Sequence, residues 1–453
     1  MNRTIGFRPA LHFWIGILDL LFITCCLLLT APASVFSEEN KAEGYKFDVS
    51  ETEKKPYHLG GYIEAMPILF GLDKNASLYK LNFYNRSIGG TTPEYDGTLQ
   101  LEGSLEKGLS RFYIKTNTAY TKNYQKDTTN TTVFEGNISL RPSPTFITEL
   151  GKKTLNWGKG YAWNPAAFID RQKNTDDPEL AREGFIVASL DYTKSWERQA
   201  LKTFSFTPVL IPVYSGINDD FGETGNLNGA VKFYFLYYDT DIDFIFLTGG
   251  SKTARYGLDF SRNVTTNLEV HGEFSLITNN PKTTIDPNGN QTQTTYNAAN
   301  ALLGLRYLTA RDTTYILEYY RNGQGYSSQE MQDFFSFIDK GYSLYTNTGN
   351  PSLLNRASTL LKGNYGKQTP ETNYLYLRIS QKEPFDILYF TPALAMIANM
   401  DDKSFSLTPE FLYTGITNLE LRFRTGFISG SGGTEFGEKQ NDYRMDFRIR
   451  YYF

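Results

Sequence analysis

The sequence predicts an all-β fold, a transmembrane antiparallel β-barrel of about 18 strands, with about 16 as the alternative, closed by short periplasmic turns and long extracellular loops. Three observations carry that expectation. Segments with apolar residues at every second position recur along most of the 453 residues, the period of a strand whose two faces meet different surroundings. The connectors between these segments alternate between short and long, an asymmetry that belongs to barrels spanning an outer membrane. Only one stretch is long and apolar, at the N-terminus, and the mean hydropathy is −0.40, so a bundle of membrane helices is not expected.

Taken in order, Arg3 and Arg8 precede the apolar stretch 13–33, which ends in Ala31-Pro32-Ala33, an A-x-A cleavage site. Residues 1–33 are therefore expected to be a secretory signal peptide. Both cysteines, Cys25 and Cys26, fall inside it, so the processed chain has no disulfide and no thiol ligand. His58 and His271 are the histidines that remain, and neither a metal site nor a cofactor is expected. Residues 34–56 are polar and aperiodic, a periplasmic tail, and 57–453 form one barrel domain.

Within that domain, GTLQLEGSLEKG (97–108) sets Leu99, Leu101 and Leu105 against Gln100, Glu102, Ser104 and Glu106. TTNLEVHGEFSLIT (265–278) sets Leu268, Val270, Phe274 and Leu276 against Asn267, Glu269, His271 and Glu273. NLELRFRTGF (418–427) sets Leu419, Leu421, Phe423 and Phe427 against Glu420, Arg422 and Arg424. Long connectors are expected near 213–226, 279–297, 323–371 and 428–441, and short ones near 261–266, 309–312, 382–386 and 414–417. The stretch 57–87 has the poorest register.

Gly151 to Phe185 departs from the pattern, with two of the four tryptophans, Trp157 and Trp163, among glycines and charges of both signs. Trp157-Gly158 is expected to end a strand at the outer interface, where amphipathic Trp settles. Gly158 and Gly160 allow a sharp turn, Asn164-Pro165 starts another, and Asp177-Pro178 caps a helical turn. A segment so rich in turn formers and Trp is ordered. One expectation is a loop folded into the lumen, narrowing a pore, and the alternative is a packed surface loop. In the inward case Lys159, Asp170, Arg171, Arg182 and Glu183 would contact a solute, because planar guanidinium forks suit carboxylates. The 323–371 insertion carries helical periodicity twice, capped by Ser327 and by Asn350 with Pro351 at the first turn. Phe334, Phe335 and Phe337 are expected to pack that insertion on itself rather than seal the barrel mouth.

The chain ends DYRMDFRIRYYF, with Met445, Phe447, Ile449, Tyr451 and Phe453 on one face. This end resembles the aromatic C-terminal signal of bacterial outer-membrane proteins, with Phe447, Ile449, Tyr451 and Phe453 in its positions. The resemblance implies recognition by the barrel assembly machinery and a lipid partner, and the signal peptide implies Sec export before it. The unusual segment likewise resembles one found in porin-like outer-membrane proteins of Gram-negative bacteria, relatives of the alginate-export barrel among them, at Gly151, Lys152, Trp157, Gly158, Asn164 and Pro165. It implies membership of the porin superfamily and carries over no substrate.

A net charge of −4 argues against a nucleic-acid partner. The lumen is expected to have an acidic side, Glu102, Glu269, His271 and Glu273, and a basic strip, Arg422, Arg424, Arg444, Arg448 and Arg450. In the alternative, Glu420, Asp442 and Asp446 neutralise the arginines in place. A His271 flanked by carboxylates is the kind of cluster a barrel hydrolase would use, but on a lumen wall it more simply lines water, and no enzyme is expected. The expected function is a porin-like channel for passive transport or export of small polar or anionic solutes. The alternative is a barrel that sheathes a partner complex, for polysaccharide export or electron conduction. Homo-oligomerisation is left open.

Overall fold

The structure, a computed structural model, describes residues 55–453 except Arg198. The signal peptide and nearly all of the expected tail lie outside the described residues. Eighteen strands form one closed antiparallel sheet. In chain order they are β1 (Tyr57–Leu72), β2 (Thr91–Lys107), β3 (Ser110–Lys122), β4 (Asp127–Ser143), β5 (Phe146–Lys153), β6 (Phe185–Ser195), β7 (Leu201–Val213), β8 (Asn226–Tyr237) and β9 (Thr240–Leu247), then β10 (Arg255–Asn263), β11 (Leu268–Ile285), β12 (Gln291–Leu308), β13 (Thr313–Arg321), β14 (Asn373–Gln381), β15 (Phe390–Asn399), β16 (Phe405–Ile416), β17 (Leu419–Ser429) and β18 (Asn441–Tyr452). Each pairs with its neighbour in sequence, and β1 pairs with β18 to shut the ring. Closure removes both sheet edges, so every strand finds its hydrogen-bond partners within the ring.

Along most of the ring the apolar face of a strand points outward; β6, β7 and β9 also carry buried apolar residues on the inward face. Leu99, Leu101 and Leu105 are exposed while Gln100 between them is buried. Phe274 is exposed, and His271 and Glu273 on the other face are buried. This inverts the ordinary distribution of a soluble protein and is what a barrel wrapped in lipid requires. Exposed aromatic residues gather near both strand ends, Tyr95, Tyr256 and Phe427 at one and Tyr307, Tyr389 and Tyr451 at the other, as girdles at two interfaces would. Among the described residues no helix is long and apolar enough to cross a membrane.

The two ends differ as expected, with one correction. The stretch 279–297 is not a loop: β11 runs on to Ile285 and β12 begins at Gln291, joined by a turn that Asp286 organises by accepting from the N–H groups of Asn288 (2.9 Å) and Asn290 (2.8 Å). This hairpin projects past the apolar belt. Its residues there are mostly polar on both faces, with Ile285 buried against the long insertion, so the alternation that marks the other strands is lost. The poor register of 57–87 resolves into β1, which contains Pro67, followed by a short helix, α1 (Ser77–Phe83).

In the long insertion, α2 (Ser328–Thr348) starts with a capping box in which Ser327 and Glu330 exchange bonds, and α3 (Ser352–Leu360) follows. Asn350 Oδ1 accepts from Ser352 N at 3.0 Å, one residue earlier than the helix proper, whose cap position is Pro351. Phe334, Phe335 and Phe337 are buried with Leu81, Ile285, Tyr326 and Leu354, so the insertion packs on itself, on α1 and on the β11 hairpin.

Candidate functional site

The connector between β5 and β6, residues 154–184, lies inside the barrel. Two carboxylates on the lumen wall hold its backbone. Glu273 on β11 accepts from the N–H groups of Lys159 (2.6 Å), Gly160 (2.7 Å) and Ala166 (2.9 Å). Glu318 on β13 accepts from Tyr161 N and, at 2.9 Å, Ala162 N. The glycines are needed here. Gly158 has φ +89°, and a Cβ on it would stand 2.8 Å from Glu273 Oε1. A Cβ on Gly160 would stand 2.1 Å from the Trp163 carbonyl oxygen. A third carboxylate, Asp170, folds the start of the connector by accepting from Leu155 N (2.9 Å), Asn156 N (3.1 Å) and Trp157 N (2.8 Å).

Two apolar clusters fasten this strap to facing parts of the wall. Trp157, Phe168 and Ile169 pack with Phe185, Val187, Ile211 and Ile245 of the neighbouring strands. Trp163 packs with Leu302, Tyr374 and Tyr376, its ring stacked on Tyr320 at a centroid distance of 5.1 Å. The tryptophans are therefore lumen anchors. Trp157 is 3% exposed, and its expected place at the lipid interface is corrected. β5 ends earlier, at Lys153.

The strap then crosses to the arginines. Asp177 does not cap a helix; residues 177–180 make a single turn, Leu180 N donating to Asp177 O at 3.1 Å. Its carboxylate meets Arg422 at 2.6 Å, Arg448 at 3.5 Å and Arg424 at 3.6 Å. The rest of the strip is paired as well: Arg424 and Arg444 with Asp446 (3.1 and 3.2 Å), Arg448 with Glu420 (2.7 Å) and Arg450 with Glu64 (2.6 Å). On the expected acidic side, Glu102 accepts from Tyr113 Oη (3.1 Å) and faces Lys115 (3.9 Å). His271 lies between Glu269 (3.2 Å) and Glu318 (2.8 Å) and is 3% exposed. Instead of a bare basic wall facing a bare acidic one, the lumen carries interleaved charges, and Asp446 and Glu420 do neutralise arginines in place.

The expected solute-contacting residues are largely engaged in the fold. Lys159 pairs with Asp243 at 3.1 Å. Arg171 is tied to Asp220 and Glu183 and stacks 4.6 Å from the Phe185 ring centroid, and Glu183 also holds Lys152. Arg182 donates to Arg171 O (2.7 Å) and Asn156 Oδ1 (2.9 Å), has no carboxylate partner among the described residues, and borders a cavity of about 400 Å³ with Lys115, Glu135 and Lys173. Another cavity, about 370 Å³, lies between the strap and Arg378, Glu410, Glu420, Arg422 and Arg450. Sequence reasoning missed Glu318, Asp243 and Glu64. Each is a single carboxylate on the inward face of a strand, a signal present in the alternation but with nothing to say what it would meet.

No protein-family model matches the chain, and no curated protein does. Among solved structures it is similar to a triple mutant of the Rhodopseudomonas blastica porin, at 10% identity over 88% of this chain and 100% of that one, with a TM-score of 0.44. It is also similar to two Pseudomonas aeruginosa proteins, OccK11 (10% identity, 87% and 95% covered, TM-score 0.47) and OpdQ (12%, 87% and 98%, 0.47).

Proposed function

We propose that the chain is a porin-like channel of the bacterial outer membrane, inserted by the barrel assembly machinery after Sec export, and that it passes small polar or anionic solutes. The observation that carries this reading is the strap, held to the lumen wall by Glu273 and Glu318 and reaching across to the arginines through Asp177. A strap fixed inside a wet barrel narrows the passage without closing the ring of strands, and charged walls beside it favour polar solutes over apolar ones. Arg182 is the residue of the strap that we assign to solute contact. His271 is locked between two carboxylates, a place in the wall rather than a reachable general base.

The test is conductance in planar bilayers. Wild type should give discrete single-channel steps. Replacing Gly160–Asp177 by a short Gly-Ser linker should raise the step size, because the ladder between strands does not depend on the strap. An unchanged step in a heat-modifiable, correctly assembled deletion would remove the strap from the conduction path. Silence of both proteins would favour a sheath for a partner complex.

A further inference from the structure

At the outer mouth, above the strap, a cavity of about 630 Å³ is lined by Lys252 of the β9–β10 connection, Arg255 at the start of β10, Lys367 of the long insertion, Lys282 of β11, and Asn280 and Gln324. On β10, Tyr256 and Leu258 are exposed on the outer surface, so Arg255 and Gly257 point inward, and a Cβ on Gly257 would meet Phe168 of the strap.

The charges in this cavity are not balanced. Lys282 is neutralised by Glu330 at 2.7 Å. Arg255 and Lys367 have no carboxylate or hydrogen-bond partner among the described residues, and Arg255 Nε is shut off from solvent without one. Lys252 holds only the Phe168 carbonyl oxygen at 3.5 Å and the face of the Phe221 ring at 3.7 Å. One carboxylate, Glu223, borders the rim. Among the described residues, the arginine strip and Lys159 are matched by carboxylates, and Arg182 and Lys173 of the strap are held by carbonyl and amide oxygens, so a group of cations in which Arg255 and Lys367 have neither, beside amide side chains, is a place where a counter-charge is missing. Leaving a buried guanidinium nitrogen unpaired is costly.

We propose that this vestibule is a binding site for a free small oxyanion, a phosphate or carboxylate, held by Lys252, Arg255 and Lys367 as the first station of the channel. The site faces the lumen, which points to a diffusing solute in preference to a lipid headgroup. Arg255 supplies a planar fork suited to two oxygens and the lysines supply point charges. Burial, then the nearby Arg255, hold the Lys252 ammonium down to about 7, with Arg171 adding and Asp220 opposing. A bound anion restores that proton, so the site should bind more tightly at pH 6.5 than at pH 8.5.

The proposal rests on the channel reading, and calorimetry separates the two. Purified protein in detergent is titrated with succinate, which keeps both charges across that pH range, and with inorganic phosphate. Wild type should bind at least one of them. Lys367→Gln, on an exposed loop that leaves the barrel intact, and Arg255→Gln should each bind roughly tenfold more weakly, while Arg255→Lys retains part of the affinity. Lys202→Gln, at the opposite end, should bind like wild type. Absence of heat with both anions, or equal affinity in all variants, overturns the site even if conductance steps are present. Binding without conductance would keep the site and sink the channel.

Discussion

Glu273 accepts from three backbone N–H groups of the strap, more than Glu318, the other wall carboxylate that holds it. Glu273→Gln removes the charge and turns one acceptor into a donor facing N–H groups. Each charge-assisted bond of this kind is worth about 1.5–3 kcal/mol, so the strap should loosen while the ring of strands stays closed. Trypsin should then cleave after Lys159 or Lys173, and single-channel current should become noisy. A trace as quiet as wild type with equal protease protection would mean that the apolar anchors alone suffice. Asp177 matters for a different reason. It faces Arg422, Arg424 and Arg448 at once, so Asp177→Asn uncovers positive charge beside the passage. Reversal potentials under a potassium chloride gradient should shift toward chloride selectivity, and an unchanged potential would place those arginines outside the ion path.

Among the elements, the strap and the outer insertion behave differently because they are anchored differently. The strap uses carboxylates from the wall. The insertion buries its own aromatic cluster and meets the 430–440 loop through a group of acids. There Glu371 is 0% exposed and Glu435 3%. Burial first, and then repulsion from Asp402, push both upward, Glu435 to about 7; Lys439 opposes this at Glu435 and Ser328 at Glu371. Tyr374 Oη donates to Glu435 at 2.6 Å. A carboxyl raised above its unfolded value contributes stability that is present at low pH and lost as pH rises through the folded value. The loops should thus be firm near pH 5 and loosen progressively as pH rises to about 7–8, with little further change above that. Protection factors from hydrogen exchange of 366–372 and 430–438 at pH 5 and pH 7.5, corrected for the intrinsic rate at each pH, check this, and lower protection at pH 5 would contradict it.

For the whole molecule, closure is what the C-terminus accomplishes. Phe453 N donates to Gly61 O and Gly61 N to Phe453 O, both at 3.1 Å, so the last residue completes the seam between β18 and β1. Deleting Phe453 removes both bonds and the final aromatic of the outward row. Assembled barrel in the outer-membrane fraction should fall and periplasmic degradation products should rise; wild-type levels of folded protein would deny the C-terminus any part in assembly. The ring itself is a sum of local hairpins plus this one long-range seam, so the strap can be altered without opening it.

The barrel was legible in the sequence because its cause is local. Alternate residues face lipid and lumen, and the Leu99–Leu101–Leu105 and Leu419–Leu421–Phe423 rows state this within a few positions. The turn at Asn164-Pro165 and the helix cap at Ser327 were readable for the same reason, while the reciprocal bond from Glu330 came with the structure. The 279–297 hairpin was missed because lipid no longer covers its outer face and the insertion covers part of it through Ile285 and Lys282, so polar residues stand on both faces and the signal vanishes. The site was a different matter. Gly158 and Gly160 are legible as a turn, but that the turn closes on Glu273, over a hundred residues away in the chain, depends on where β11 comes to lie. Asp177 looked like a helix cap because its neighbours are a proline and acids; the fold gives it arginines from β17 and β18 instead. Lys252, Arg255 and Lys367 are unremarkable apart and become a cluster only when two outer connectors meet above the strap. Alternation along a strand is set by backbone geometry, whereas the partner of an inward charge is set by which strands and loops the closed ring brings opposite each other, and only the tertiary structure decides that.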